Sequence, residues 1–244
     1  MSYYDHNPGR IPDGMATQPW VGAQIDAGLR AYMQRVYGYM AGGLAVTGIV
    51  AYAAAASGFY QAIAGTPLIW IVMLAPLGFV LALSFGVQRM SAGTAMLLFW
   101  IYATVMGLSL GGIFLVYTGT SIARVFFITA ATFAAMSLYG YTTNADLSRM
   151  GSFLLMGLIG LVIASLVNIF IGSSALQFAI SIIGVIVFVG LTAYDTQRIK
   201  EMYLESDSAE IAGKKAVLGA LALYLDFINL FMMLLQLFGQ RRDN

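Results

Sequence analysis

Seven apolar runs dominate this chain and leave few folds open to it. They fall at residues 36–56, 67–87, 94–116, 122–141, 151–171, 175–196 and 216–238. Each is about twenty residues long, which is what a helix needs to cross a hydrocarbon core of about 30 Å. In lipid a backbone must satisfy its own N–H and C=O groups, so an apolar segment of that length spans as a helix. Composition agrees: 60% of the 244 residues are hydrophobic and 9% are charged, against about 25% charged in soluble domains. The expected fold is an all-α polytopic membrane protein with seven transmembrane helices.

The rest of the chain divides around those runs. Residues 1–20 are rich in Gly, Pro, Asp and Asn and read as a disordered polar tail. Residues 21–239 read as one transmembrane domain, and 240–244 as a second short polar tail. Within the domain, residues 21–35 form a lead-in helix. Val21, Ile25, Leu29 and Tyr32 or Met33 share one helical face, with Gln24, Asp26, Arg30 and Gln34 elsewhere. That segment is either an interfacial helix or a plain continuation of the first span. The connections are short except 197–215, which reads as the one substantial soluble loop. Gly38 with Gly42 and Gly107 with Gly111 have the spacing that lets helices approach closely. Pro76, inside the second run, is a candidate kink.

Several function classes are excluded. The net charge is +1, and no basic patch of the kind nucleic acid requires is present. There is no cysteine, hence no disulfide, thiolate nucleophile or cysteine metal site. The one histidine, His6, lies in the polar tail, so triads and zinc sites that need an embedded histidine are absent. The basic residues also orient the chain. With a cytoplasmic N-terminus, Arg10, Arg30, Arg35, Arg89, Arg149, Arg198, Lys200, Lys214 and Lys215 fall inside, and Arg124, Arg241 and Arg242 outside. That asymmetry favours a cytoplasmic N-terminus and an external C-terminus.

Of the eleven acids, only Asp195 and Asp226 lie in or at the edge of a span. A carboxylate at mid-span costs roughly 2.5–3.5 kcal/mol on insertion scales. Asp226 is therefore expected to face protein or water and to have a partner. Asp195, which ends the preceding run in GLTAYDTQRIK, is the candidate. Asp226 lies roughly 15 Å along its helix axis, so the two meet if the sixth helix extends past the bilayer or the seventh starts late. Asn229, at i+3 from Asp226, is placed to hydrogen-bond a carboxylate. Two neighbouring carboxyl groups out of water compete for one proton and titrate as a unit, which makes a pH sensor without histidine. Doubly ionised, they make a hard oxygen site suited to Ca²⁺, although two carboxylates fall short of the usual six to eight oxygens. Arg89 closes the second run at the same membrane face as Asp195. It reads either as a latch onto a carboxylate or as an ordinary anchor that snorkels to the headgroups.

Three stretches carry a resemblance: SLYGYTTNADLSRMGSFL at 137–154, GLTAYDTQRIK at 190–200 and LGALALYLDFINLFMMLLQLFG at 218–239. With SFGVQRMSAGTA and the GLRAYM lead-in, they make residues 27–239 similar to the Bax inhibitor-1 family of membrane proteins. The resemblance implies a last helix standing centrally between two three-helix layers. It also implies a pH-sensitive calcium leak, with the two-aspartate sensor on Asp195 and Asp226 and the second-helix arginine on Arg89. The chain departs from some relatives in carrying no acid between residues 67 and 87.

The expected function is accordingly a pH-regulated, calcium-permeable leak in a bacterial-type plasma membrane. It is not an enzyme and uses no cofactor; its partners are membrane lipid, calcium ions and protons. Two alternatives stand beside it. One is a proton-coupled small-solute transporter. The other is an intramembrane aspartyl protease, which the Tyr194-Asp195 dipeptide superficially fits. Asp226, however, sits in YLDF rather than GxGD, and no PAL motif is present.

Overall fold

A computed structural model of the chain describes residues 19–242, with side chains from residue 27 onward, Gln88 excepted. The tail expected at 1–20 lies outside the described residues except for its last two, as do residues 243–244. In chain order the helices are α1 (Pro19–Ala56), α2 (Phe59–Ile63), α3 (Leu68–Gly86), α4 (Ala92–Leu110), α5 (Ile113–Val116), α6 (Gly119–Thr142), α7 (Ser148–Ile171), α8 (Ser174–Glu201) and α9 (Ala209–Phe238). A short 3₁₀ turn, Val87–Arg89, follows α3. Seven segments are long and apolar enough to cross a membrane, with α4 and α5 together forming the third. The lead-in at 21–35 runs unbroken into the first span as part of α1, which decides between the two readings left open above.

Local chemistry sets the helix ends. The side chains of Ser91, Thr118, Ser173 and Ser208 each accept a hydrogen bond from the backbone N–H three residues on, satisfying a donor that an uncapped helix leaves free. The α7 helix stops at Gly172, whose φ of +66° is a left-handed conformation that suits glycine. The α3 helix passes through Pro76 without a break.

The largest departure from expectation lies at 197–215. The soluble loop expected there is mostly helix: α8 continues to Glu201 and α9 begins at Ala209, leaving residues 202–208 as the connection. Charge lowers hydropathy in this stretch without opposing helicity. Arg198 and Lys200 sit in the last turn of α8, and Glu210 in the first turn of α9, each at the end its charge favours. Both helices therefore project beyond their apolar runs.

The α9 helix is the centre of the molecule. It packs against α1 and α4 on one side and α6 and α8 on the other. In its most apolar window 67% of residues are buried, against 11–39% in the other spans. In the first half α4 packs on both α1 and α3, and in the second α8 packs on both α6 and α7, matching the two layers that the resemblance implied.

Between lipid-embedded helices, close van der Waals contact replaces the hydrophobic drive. A Cβ on Gly107 or Gly111 of α4 would lie 2.7 Å from the Thr47 carbonyl oxygen or 2.9 Å from that of Ala51, both on α1. Gly140 of α6 lies directly against the Ala193 carbonyl of α8. The Gly38–Gly42 pair does not form such a crossing: Gly38 faces open space and Gly42 the Trp100 ring.

Polar contacts fix the exposed end of α8. Gln197 Nε2 donates to the Ala145 carbonyl at 2.8 Å, and its Oε1 accepts from the Leu147 N–H at 2.9 Å. Lys200 Nζ donates to the Tyr141 carbonyl at 2.9 Å. Residues 240–242, expected as part of a free tail, are instead pinned to the start of α6. Thr118 N donates to Gln240 O at 3.0 Å, Arg242 N to Val116 O at 2.9 Å, and Gln240 N to Ser121 Oγ at 2.8 Å.

Candidate functional site

Asp195 and Asp226 meet. Asp195 lies near the end of the apolar run of α8, and α9, which packs on α8, carries Asp226 at the centre of the bundle. Both residues line one cavity between α7, α8 and α9. Asp226 is only 5% exposed, so it faces protein rather than hydrocarbon, as the insertion penalty requires. Its Oδ2 atom is fully enclosed and has no donor among the described residues. An ionised Asp195 offers nothing but acceptors; a protonated one offers an O–H. A proton on either carboxyl is the one donor the pair could supply to itself.

The pair is not sealed. A cavity of about 360 Å³ is lined by Asp195, Asp226, Asn229 and Arg198, with Gly151 and Ser152 contributed by α7. A second cavity, of about 300 Å³, lies between α3, α8 and α9; it is lined by Asp195 and Arg198 again, together with Ser84 of α3. Asp195 and Arg198 thus stand between two recesses on different sides of the α8–α9 contact. Gly151 leaves the space that the Tyr194 ring occupies, so the residue before Asp195 is anchored on α7.

The sequence-selected residues fare differently. Asp195 and Asp226 are brought together. Asn229 lines the same cavity, but its Nδ2 donates to the Leu225 carbonyl of its own helix at 2.8 Å rather than to a carboxylate. Arg89 is not brought to the pair. It is exposed, lines neither cavity, and no ion pair holds it among the described residues. The 3₁₀ turn ends α3 there and Met90 leaves in an extended conformation, which carries Arg89 past the level of Asp195. Ser84, more than a turn earlier, is the α3 residue at the site.

The basic residue that lines both cavities with Asp195 is Arg198, although no ion pair within 4 Å joins the two among the described residues. Reading the sequence placed Arg198 among the cytoplasmic anchors. Its spacing from Asp195, i+3 on one helix face, was the available signal. A resident metal centre would need more ligands than the pair supplies: among the described residues no group of three or more His, Cys, Asp or Glu side chains comes together. A calcium ion at this place would complete its shell with water or backbone oxygens.

Comparison with known proteins gives a consistent result. The family model described as "Inhibitor of apoptosis-promoting Bax1" matches residues 29–243. The chain is 52% identical over 220 residues to an uncharacterized protein of Rickettsia prowazekii, covering 90% of this chain and 93% of that one. It is 51% identical over 223 residues to the inner membrane protein YbhL of Escherichia coli, covering 90% and 95%. A membrane protein of Streptococcus pyogenes is 34% identical over 220 residues, covering 89% and 96%.

Proposed function

The chain belongs to the Bax inhibitor-1 family, and from that premise we propose that it is a pH-regulated, calcium-permeable leak of the bacterial inner membrane. One observation carries the reading: an enclosed carboxyl, Asp226, with an oxygen lacking a donor, set against a second carboxyl that borders two recesses. Like charges at that separation repel strongly where water is scarce. A proton held between the carboxyls removes the repulsion and ties α8 to α9. Loss of that proton leaves two negative charges, which a divalent cation or water entering the cavity offsets. Arg198 stands beside Asp195 to share that load, and it takes the place given to Arg89 in the sequence reading. A part for Arg89 as a latch would require the end of α3 to move toward α8.

The inner membrane is the location printed for the Escherichia coli relative, and it fits a chain with seven apolar spans. The proposed orientation has the N-terminus in the cytoplasm, on the strength of the basic residues at the start of α1, the end of α8 and the start of α9. Because the chain contains no cysteine, single cysteines at Ser2 and at Asn244 report it directly. Labelling of the second, and not the first, by an impermeant reagent on intact cells is expected; the reverse pattern would refute the orientation.

A second reading, a proton-coupled small-solute transporter, draws on the same geometry. Asp195 borders recesses on two sides of the α8–α9 contact, as a carboxyl reached alternately from each would. Both readings are non-enzymatic. Reconstituted protein in calcium-loaded vesicles separates them: a leak releases calcium down its gradient without moving a second solute, whereas a transporter moves protons only when its substrate is added. Cleavage of a transmembrane peptide, lost in Asp226→Asn, would instead revive the aspartyl protease.

A further inference from the structure

The helices α1 and α6 both pack on α9 but make no substantial contact with each other. The gap between them is a groove of about 490 Å³. Its walls are Met33, Tyr37 and Met40 of α1 and Phe133, Ala134 and Leu138 of α6. Phe133 packs on Phe227 of α9 with ring centroids 5.5 Å apart, so the central helix lies behind that wall. The groove opens sideways, toward the space that lipid occupies.

The groove is polarised along its length. Its polar wall residues, Arg30 and Gln34, come first along α1, and the apolar ones follow; along α6 the order reverses and ends at Tyr141. Arg30 precedes the first apolar run by about 9 Å of helix, and Lys200 follows the sixth by about 6 Å. The headgroup layer on each side of the hydrocarbon is about 5–7.5 Å deep, so Lys200 falls within it and Arg30 at its outer edge, where its long side chain reaches back. The Lys200 ammonium sits 5.3 Å from the centroid of the Tyr141 ring and donates to the Tyr141 carbonyl. An ammonium has three donors, so two remain for a ligand at the groove's mouth. The result is an apolar trough with cations at its headgroup end.

We infer that this groove holds an anionic phospholipid of the surrounding bilayer, with one acyl chain between α1 and α6 and its phosphate at Arg30 and Lys200. A zwitterionic lipid fills the trough equally well but gains little from the two cations. Each basic side chain near a membrane surface contributes roughly a fivefold preference for anionic lipid, so the pair amounts to roughly 25-fold.

Native mass spectrometry of the full chain tests this, with the protein released from mixed micelles of equimolar phosphatidylglycerol and phosphatidylcholine. The wild type is expected to retain phosphatidylglycerol by roughly 25-fold. Arg30→Gln with Lys200→Gln is expected to bring the two lipids near parity, and Ala134→Trp, which fills the trough, to reduce retention of both. Equal retention by the wild type, or an unchanged preference in the double variant, overturns the inference. So does a second copy of the chain filling the groove, seen as a dimer that Ala134→Trp disperses. Where the double variant fails to fold, the two single variants and Ala134→Trp decide.

Discussion

At the scale of single residues, the account turns on an atom without a donor. Asp226 Oδ2 is enclosed in the protein, and a proton on one of the two carboxyls would relieve it. Under the proposed function such a group serves regulation at the expense of stability. Replacing buried ionisable groups by apolar ones of similar volume is often neutral or stabilising by about 1–4 kcal/mol. Asp226→Leu is therefore expected to melt in detergent at or above the wild-type temperature while calcium flux loses its response to pH. A steep fall in melting temperature with the pH response intact would show the acid to be structural. Arg198 gives a second residue-scale expectation. A cation beside a carboxyl favours loss of its proton, so in Arg198→Gln the midpoint of the flux response is expected at higher pH than in the wild type. No displacement would detach Arg198 from the site. This residue was legible only in part: its charge suggested a membrane anchor, and the i+3 spacing that aligns it with Asp195 was overlooked.

At the scale of elements, α8 and α9, which carry the two acids, both run on past their apolar segments. The cues were present in 197–215. Ser208 is a helix-capping residue type, Glu210 suits a first turn, and Arg198 with Lys200 suits a last turn. Hydropathy obscured them, because a charged stretch looks like a loop when the measure is burial in lipid. The spans themselves were legible to within a few residues at most ends, since bilayer thickness sets their length. The contact faces were less so. The Gly107–Gly111 pair marks a backbone crossing and the Gly38–Gly42 pair does not, although their spacing is identical. Which face meets a neighbour is settled by the fold and not by the interval. Gly140 makes the tightest approach to the backbone of another helix, against Ala193 two residues before Asp195. Overpacking costs typically about 1–3 kcal/mol, so Gly140→Ala is expected to destabilise the protein by about that amount in thermal unfolding. Gly160→Ala, where nothing lies within 4 Å, serves as the tolerated control. Equal melting of the two would mean that α6 and α8 do not depend on the close crossing.

At the scale of the whole molecule, α9 is the most buried span and carries the most buried acid. Two layers of helices enclose it, and both recesses at the acid pair touch it. Under the proposed function, a proton gained or lost by Asp195 and Asp226 would act where the layers join, with no relay needed to reach the rest of the bundle. The measurement that tests this most directly is calcium release from proteoliposomes across the physiological pH range, wild type beside Asp195→Asn. The account predicts a flux that varies with pH in the wild type and a displaced or flattened response in the variant. A wild-type flux that ignores pH, or a variant whose midpoint coincides with the wild type's, would contradict it.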